Sequence, residues 1–159
     1  MTAWIPDWFD NNFVDVESLL IDLFELVLPD IVVGCWTPDS WLDQDVTEPM
    51  LQFVRLPGGQ VKWDMQYDEA LIQATAITGS RDDSWRLVNL LRAVLLPLQG
   101  FKFTMSDGFV AQIVGVDEVA GPQLLTTDQR IDDRVIPVTF RTRVSLRSRK
   151  RYDQIIRDL

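Results

Sequence analysis

The segment EALIQATAITGSRDDSWRLVNLLRAVLL, residues 69–96, changes its hydrophobic period halfway along. Over Glu69–Thr78, Ala70, Ile72, Ala74 and Ala76 fall on one side and Leu71, Gln73, Thr75 and Ile77 on the other, the two-residue repeat of a β-strand. Over Ser84–Leu96, Leu87, Val88, Leu91, Val94 and Leu95 share one helical face, with Arg86, Asn89 and Arg92 on a polar stripe. Between the two, Gly79-Ser80-Arg81-Asp82-Asp83 supplies the small polar and acidic residues that favour a helix N-terminus. Pro97 and Gly100 end the helix. The segment therefore predicts a long strand, a tight turn and a helix that packs back on its own sheet.

Toward the N-terminus, Met50–Leu56 reads as another strand. Pro57-Gly58-Gly59-Gln60 then has turn chemistry, which predicts a hairpin returning through Val61–Met65. Before it, Thr37–Pro49 is an acidic loop of 13 residues, a length at which loops tend to carry function. Ile31–Trp36 reads as a buried strand with Cys35 as a small apolar residue within it. Val14–Leu28 predicts a helix with Val16, Leu19, Leu20, Leu23 and Val27 on its buried face, closed by Pro29. Met1–Asn12, with Trp4, Trp8 and Phe9 among Pro and Asp residues, reads as an ordered arm.

Toward the C-terminus, Phe109–Val116 predicts a strand, and a strand or loop is expected around Leu124–Leu125. Ile136–Arg147 is the clearest strand of all. Val138, Phe140, Thr142, Val144 and Leu146 alternate there with Thr139, Arg141, Arg143, Ser145 and Arg147, so one face is apolar and the other largely arginine. That arginine face must be wet or paired. Tyr152–Leu159 predicts a short terminal helix docking through Ile155, Ile156 and Leu159. Strands in succession with only two full-length helices give an α+β class, a mixed or antiparallel sheet with the helices on one side. With no repeat, low-complexity tract or linker, residues 1–159 are expected to form a single domain.

Composition narrows the chemistry. The chain has no histidine, which removes Ser-His-Asp and Cys-His nucleophilic sites and histidine-ligated zinc. One cysteine excludes an internal disulfide and any multi-thiolate metal site. The glycines match neither the P-loop nor the dinucleotide-binding pattern. The longest stretch free of charged side chains, Ala70–Ser80, is 11 residues, where a membrane span needs about 20. No basic segment precedes an apolar run at the N-terminus, so residence in a cytoplasm is expected. Asp82–Asp83, Asp132–Asp133, and Asp43, Asp45 and Glu48 are carboxylates able to hold Mg²⁺ if brought together; helix-capping, turn and loop positions explain each more simply.

The net charge of −9 is unevenly placed. Residues 1–54 contain 11 carboxylates and no lysine or arginine, whereas Arg141, Arg143, Arg147, Arg149, Lys150 and Arg151 follow one another without an acid between them. Such a stripe suits a solvated strand face, an acidic neighbour or, less well in an acidic protein, nucleic-acid phosphates. Acidic and basic patches on one chain can pair between copies, closing a ring or propagating a filament, or pair within one subunit. Four of the six tryptophans, Trp4, Trp8, Trp36 and Trp41, crowd into the acidic third, a pattern shared by interfaces and by arms packed on their own domain.

Taken as an ordered whole, the chain resembles the tail terminators of long, non-contractile-tailed bacteriophages, in particular those of actinobacteriophages. The likeness covers nearly the full length. It rests on the N-terminal helix, the strand and acidic loop, Pro49-Met50-Leu51-Gln52-Phe53-Val54-Arg55 followed by Leu56-Pro57-Gly58-Gly59, the strand–turn–helix of Glu69–Leu96, and the final arginine-rich strand. The resemblance implies a structural, non-enzymatic virion protein at the head-proximal end of the tail. It would form a hexameric ring that caps the tail tube, stops its polymerisation and presents a surface to the head–tail connector. It implies no cofactor, no membrane and no specific nucleic acid; partners would be further copies of the chain, the tube protein, the connector and the tape measure protein. Arg141, Arg143 and Arg147, with Trp4 and Trp8, are then candidates for subunit contact. Asp39, Trp41, Asp43, Asp45, Glu48, Gly58, Gly59 and Lys62 are candidates for contact with tube or connector. A head-completion or neck protein, and a small carboxylate-dependent Mg²⁺ enzyme or nuclease, are the alternatives.

Overall fold

The computed structural model describes residues 4–36, 48–122 and 134–159. Their elements run α1 (Val16–Val27), β1 (Val32–Gly34), β2 (Met50–Lys62), β3 (Tyr67–Ile77), α2 (Arg81–Leu95), β4 (Phe101–Thr104), β5 (Val110–Ala120), β6 (Val135–Ser145) and α3 (Asp153–Arg157). Among the described residues six strands form one sheet in the order β1-β2-β3-β6-β5-β4. The β1–β2 pair is parallel and the others antiparallel, so the sheet is mixed, as the α+β expectation has it.

The central pair, β3 and β6, is in register from Tyr67↔Ser145 to Ile77↔Val135. Ala70, Ile72, Ala74 and Ala76 of β3 and Ile136, Val138, Phe140 and Val144 of β6 point to one face and are almost wholly buried. Leu19, Leu20, Leu23 and Phe24 of α1 and Val88, Leu91 and Leu95 of α2 close over that face in the same core. Alanine at three of the four β3 positions keeps the surface low enough for both helices to approach, and Phe24 packs on Phe53 of β2 with ring centroids 5.3 Å apart.

Helix ends follow local chemistry. Asp15 caps α1 by accepting from the N–H groups of Glu17 and Ser18. Ser80 caps α2 by accepting from the Asp83 N–H, while its own hydroxyl donates to the Asp83 carboxylate.

Several local expectations are corrected. Val27 is exposed rather than buried; Phe24 takes the inner face, and Leu28, turned inward at the C-cap, packs against the core in its place. The Ile31–Trp36 strand shortens to Val32–Gly34 because it is an edge strand pairing with only three residues of β2, and Cys35 is half-buried. β4 lacks sequence alternation long enough to announce it; it exists because Val110–Ile113 of β5 offers it a partner. Ile156 and Leu159 are exposed, since α3 is only one turn long, and the C-terminal segment docks instead through Tyr152. The expectation around Leu124–Leu125 lies outside the described residues.

The largest correction concerns Gly58 and Gly59. They form no hairpin turn. β2 runs through them to Lys62, with a register shift against β3 between Leu56 and Gln60. The hairpin turn is Trp63–Gln66, four residues without glycine or proline, and the returning strand is β3. Gly58 and Gly59 hold positive φ of 111° and 76°, and a Cβ on Gly59 would collide with the Glu69 carbonyl oxygen. The pair is thus a bulge that redirects the distal half of β2.

Three substitutions test this packing. Gly59→Ala combines positive φ with a backbone collision and is expected to destabilise by about 2 kcal/mol or more. Gly100→Ala, at positive φ but with open space around the new Cβ, should cost about 1 kcal/mol, and urea unfolding of both variants checks the order. Thr142 is fully buried between the core strands with its hydroxyl unpartnered among the described residues, so Thr142→Val is expected to raise stability by about 1 kcal/mol. An unchanged or lower unfolding midpoint would contradict that.

Candidate assembly surfaces

The side of the sheet turned away from the helices carries the arginines. Alternation on β6 places Arg141 and Arg143 there, between Phe140, Thr142 and Val144 on the core side. Opposite Arg141 stand Leu71 of β3 and Asp117 of β5; opposite Arg143 stand Glu69 and Gly115. Each guanidinium reaches diagonally. Arg141 Nε lies 3.5 Å from Glu69 Oε1, and Arg143 Nη2 donates to Asp117 Oδ2 at 2.7 Å. Gly115 permits the second contact, since even a Cβ there would stand 3.0 Å from Arg143 Nη2. Arg147, just past β6, pairs with Asp107 at 2.7 Å and lays its guanidinium over the Phe109 ring, 4.5 Å from the centroid. The expected "wet or paired" face is therefore paired, and by half-exposed bonds that orient the side chains more than they stabilise the fold.

None of these partners comes from the acidic third. Within the described residues, Lys150 is the stripe residue that meets the acidic third inside the chain, pairing with Asp10, while Arg141, Arg143 and Arg147 find their acids elsewhere. Among the described carboxylates of that third, Asp15, Glu17 and Asp22 serve backbone N–H groups. Glu17 accepts from Arg55 N, Asp22 accepts from Ser106 N at 2.7 Å, and Asp15 caps α1. Asp7, Glu25, Asp30 and Glu48 remain exposed. Arg55, the first cation of the chain, turns to Asp68 in a two-pronged contact at 2.9 and 3.1 Å, with Asp68 buried.

The arm meets the C-terminal segment. Lys150 Nζ donates to the Trp8 carbonyl and to Asp10 Oδ2, both at 2.9 Å, and Asn12 Nδ2 donates to the Lys150 carbonyl. Tyr152 accepts from Asp10 N, donates to the Asp10 carbonyl, and packs against Trp8 and Phe9 at centroid distances of 5.5 and 5.9 Å. Asp10 holds the Lys150 ammonium above its ordinary pKa. Trp8 is thus half-buried on its own chain, whereas Trp4 is 80% exposed.

Of the residues expected at a tube or connector contact, Asp39, Trp41, Asp43 and Asp45 lie outside the described residues. Glu48 is exposed just before β2, Gly58 and Gly59 form the exposed bulge, and Lys62 is half-buried at the end of β2. Beyond them, sequence reasoning overlooked Val61, Trp63 and Met65, which leave the hairpin end of β2–β3 apolar and exposed. Gln66 closes that turn at φ 60°, its Nε2 donating to the Trp63 carbonyl. The only available signal was the unusual density of large apolar residues beside a glycine pair.

Asp82 and Asp83 belong to the start of α2, and no group of three acidic or thiol side chains among the described residues is placed to share a metal ion. The Asp132–Asp133 pair lies outside them. Asp107 provides a test of the stripe. The Phe109 N–H and then Arg147 hold its carboxyl below the ordinary value of 3.8. A lowered folded pKa contributes stability above the unfolded value and loses it as pH falls through the folded one. Asp107→Asn is expected to flatten the loss of melting temperature below pH 3.8, seen in paired thermal scans. Equal acid slopes in variant and wild type would remove Asp107 as a contributor.

No curated protein shows significant sequence similarity to the chain. The family model for the phage tail termination protein matches residues 12–151, from the end of the arm through β6 and the basic segment after it. That span includes the full sheet, both long helices and the arginine stripe. The chain belongs to the phage tail termination protein family, a group of structural, non-enzymatic components of the virion tail.

Proposed function

We propose that this chain acts as a single folded unit assembled into a closed ring, expected to be six-fold, at the head-proximal end of the tail. The ring binds the last ring of tube subunits, halts further addition and presents its other side to the head–tail connector. The mechanism is competition for an interface. A cap must match the tube on one side and lack a tube-like surface on the other.

Family membership supports the station in the tail, and the two-sidedness of the sheet supports the ring. One side is closed by the helices, of which α1 carries Glu17, Asp22 and Glu25 and no cation; the other bears Arg141 and Arg143. A ring subunit needs two dissimilar faces, because a head-to-tail contact joins different surfaces of adjacent copies. In this scheme Arg141, Arg143 and Arg147, with exposed Trp4 and arm residue Trp8, contribute subunit contacts. Glu48, the Gly58–Gly59 bulge and Lys62, together with Asp39, Trp41, Asp43 and Asp45, serve the tube or connector. Because Arg141, Arg143 and Arg147 each already have an acid within their own chain, their use by a neighbour selects the partner more than it adds affinity.

The purified chain added to polymerising tail tubes is expected to arrest elongation at substoichiometric amounts, with density for one added ring at one tube end in electron micrographs. Tubes that grow at the same rate and bind no chain would refute the cap. Replacing Arg141 and Arg143 by Gln is expected to weaken ring formation while leaving the thermal midpoint within a few degrees.

A further inference from the structure

A groove of about 430 Å³ lies where the β2–β3 turn, the β4–β5 hairpin and the segment after β6 meet. Met65, Val110 and Leu146 give it apolar walls, and Lys102 and Arg149 stand exposed at its rim. Among the described residues no carboxylate lines it and none pairs with either cation, in a chain of net charge −9. Gln66 adds a buried Oε1 with no hydrogen-bond donor among the described residues. The groove thus combines a few apolar side chains in a mostly polar lining with two positive charges that have no carboxylate partner among the described residues.

The complementary surface is on the same chain. Leu26 is 73% exposed and Val27 39% exposed at the end of α1, beside the exposed carboxylates of Glu25 and Asp30. The last turn of α1 contains no lysine or arginine, so Glu25 adds its charge to the negative end of the helix dipole without compensation. Such an end is stabilised by cations from outside.

The two surfaces face opposite ways. Val110 and Gln112 alternate with the core residues Ala111 and Ile113, and Ser145 follows Val144, so the groove opens on the side away from the helices. The exposed edge of α1 lies on the helix side. Glu25 and Leu26 flank Phe103 and Thr104 of β4 on the helix side while Lys102 turns to the other, so the two surfaces lie on opposite sides of the same edge strand, and a copy placed head to tail would bring groove and helix end together. We infer that the groove bounded by Met65, Gln66, Lys102, Val110, Leu146 and Arg149 is a self-association site that receives the acidic, leucine-bearing C-terminal end of α1, Glu25–Asp30, from a second copy. This rests on the reading of the chain as a self-assembling cap, and assigns to the contact a pair of surfaces separate from the Arg141–Arg143 face.

A charge exchange tests it. Lys102→Glu with Arg149→Glu makes the groove acidic; Glu25→Lys with Asp30→Lys makes the helix end basic. All four residues are exposed, so both variants are expected to keep wild-type circular dichroism and thermal midpoints. Light scattering across concentration at low salt is expected to show each variant alone associating roughly tenfold or more weakly than wild type, because every contact then joins like charges. Mixing the two at equal amounts should restore assembly, since acidic groove meets basic helix and basic groove meets acidic helix in alternation. Wild-type association in either folded variant, or a mixture that fails to recover, would overturn the site. A wild-type chain that stays monomeric at every concentration yet still arrests tube growth overturns this contact and leaves the cap intact. Association governed by the charge exchange, with tube growth unaffected, keeps the contact and overturns the cap.

Discussion

Burial of one face of the β3–β6 pair sets the terms for the rest of the molecule. Ala70, Ala74 and Ala76 contribute little bulk, so the depth of the core is supplied by the helices: Leu19, Leu20, Leu23 and Phe24 from α1 and Val88, Leu91 and Leu95 from α2. Both helices are thereby held to the same side. Since strand side chains alternate strictly, committing one set of residues to the core commits their neighbours to the other surface. Arg141 and Arg143 face outward because Phe140, Thr142 and Val144 face inward. The charge asymmetry of the subunit is a consequence of its core.

Pairing on that outer surface is local. Glu69, Asp117 and Asp107 pair with Arg141, Arg143 and Arg147 through cross-strand diagonals and a turn, and among the described carboxylates of the acidic third Asp10 meets a cation, Lys150. Half-exposed pairs of this kind contribute little to stability. Their effect is to fix where positive charge is displayed, and so which surfaces of a neighbour are tolerated. An assembly protein that must bind on one side and refuse on the other gains more from such placement than from additional affinity.

The β2 bulge shapes the hairpin end of the sheet. By inserting Gly58 and Gly59 into a strand that continues beyond them, the chain projects Val61, Trp63 and Met65 at a hairpin end where they remain exposed. The same turn supplies Met65 and Gln66 to the groove beside β4. Pro57 lies within the register shift, with no partner in β3 and beyond the last β1 pair, so the absence of its N–H costs no ladder bond.

Much of this was legible in residues alone. The α+β class, α2 with its Ser80 cap, the buried alanine face of β3 and the alternation of β6 all follow from periods of 2 and 3.6, which local sterics impose wherever the chain is half-buried. The exclusion of histidine-dependent chemistry is read from composition. Tertiary structure decided what depends on a distant partner. Gly58–Gly59 has the composition of a turn, and only the register of β2 against β3 makes it a bulge. Phe101–Thr104 alternates over only four residues and becomes a strand by pairing with β5. Arginines spaced two apart announce a charged face, but their choice of Glu69, Asp117 and Asp107 over the acidic third is set by the sheet order β3-β6-β5. Sequence records a residue's local preference; which groups stand within a few ångströms of it is settled by chain segments far away, and charge pairing falls off too steeply with distance to be inferred without them.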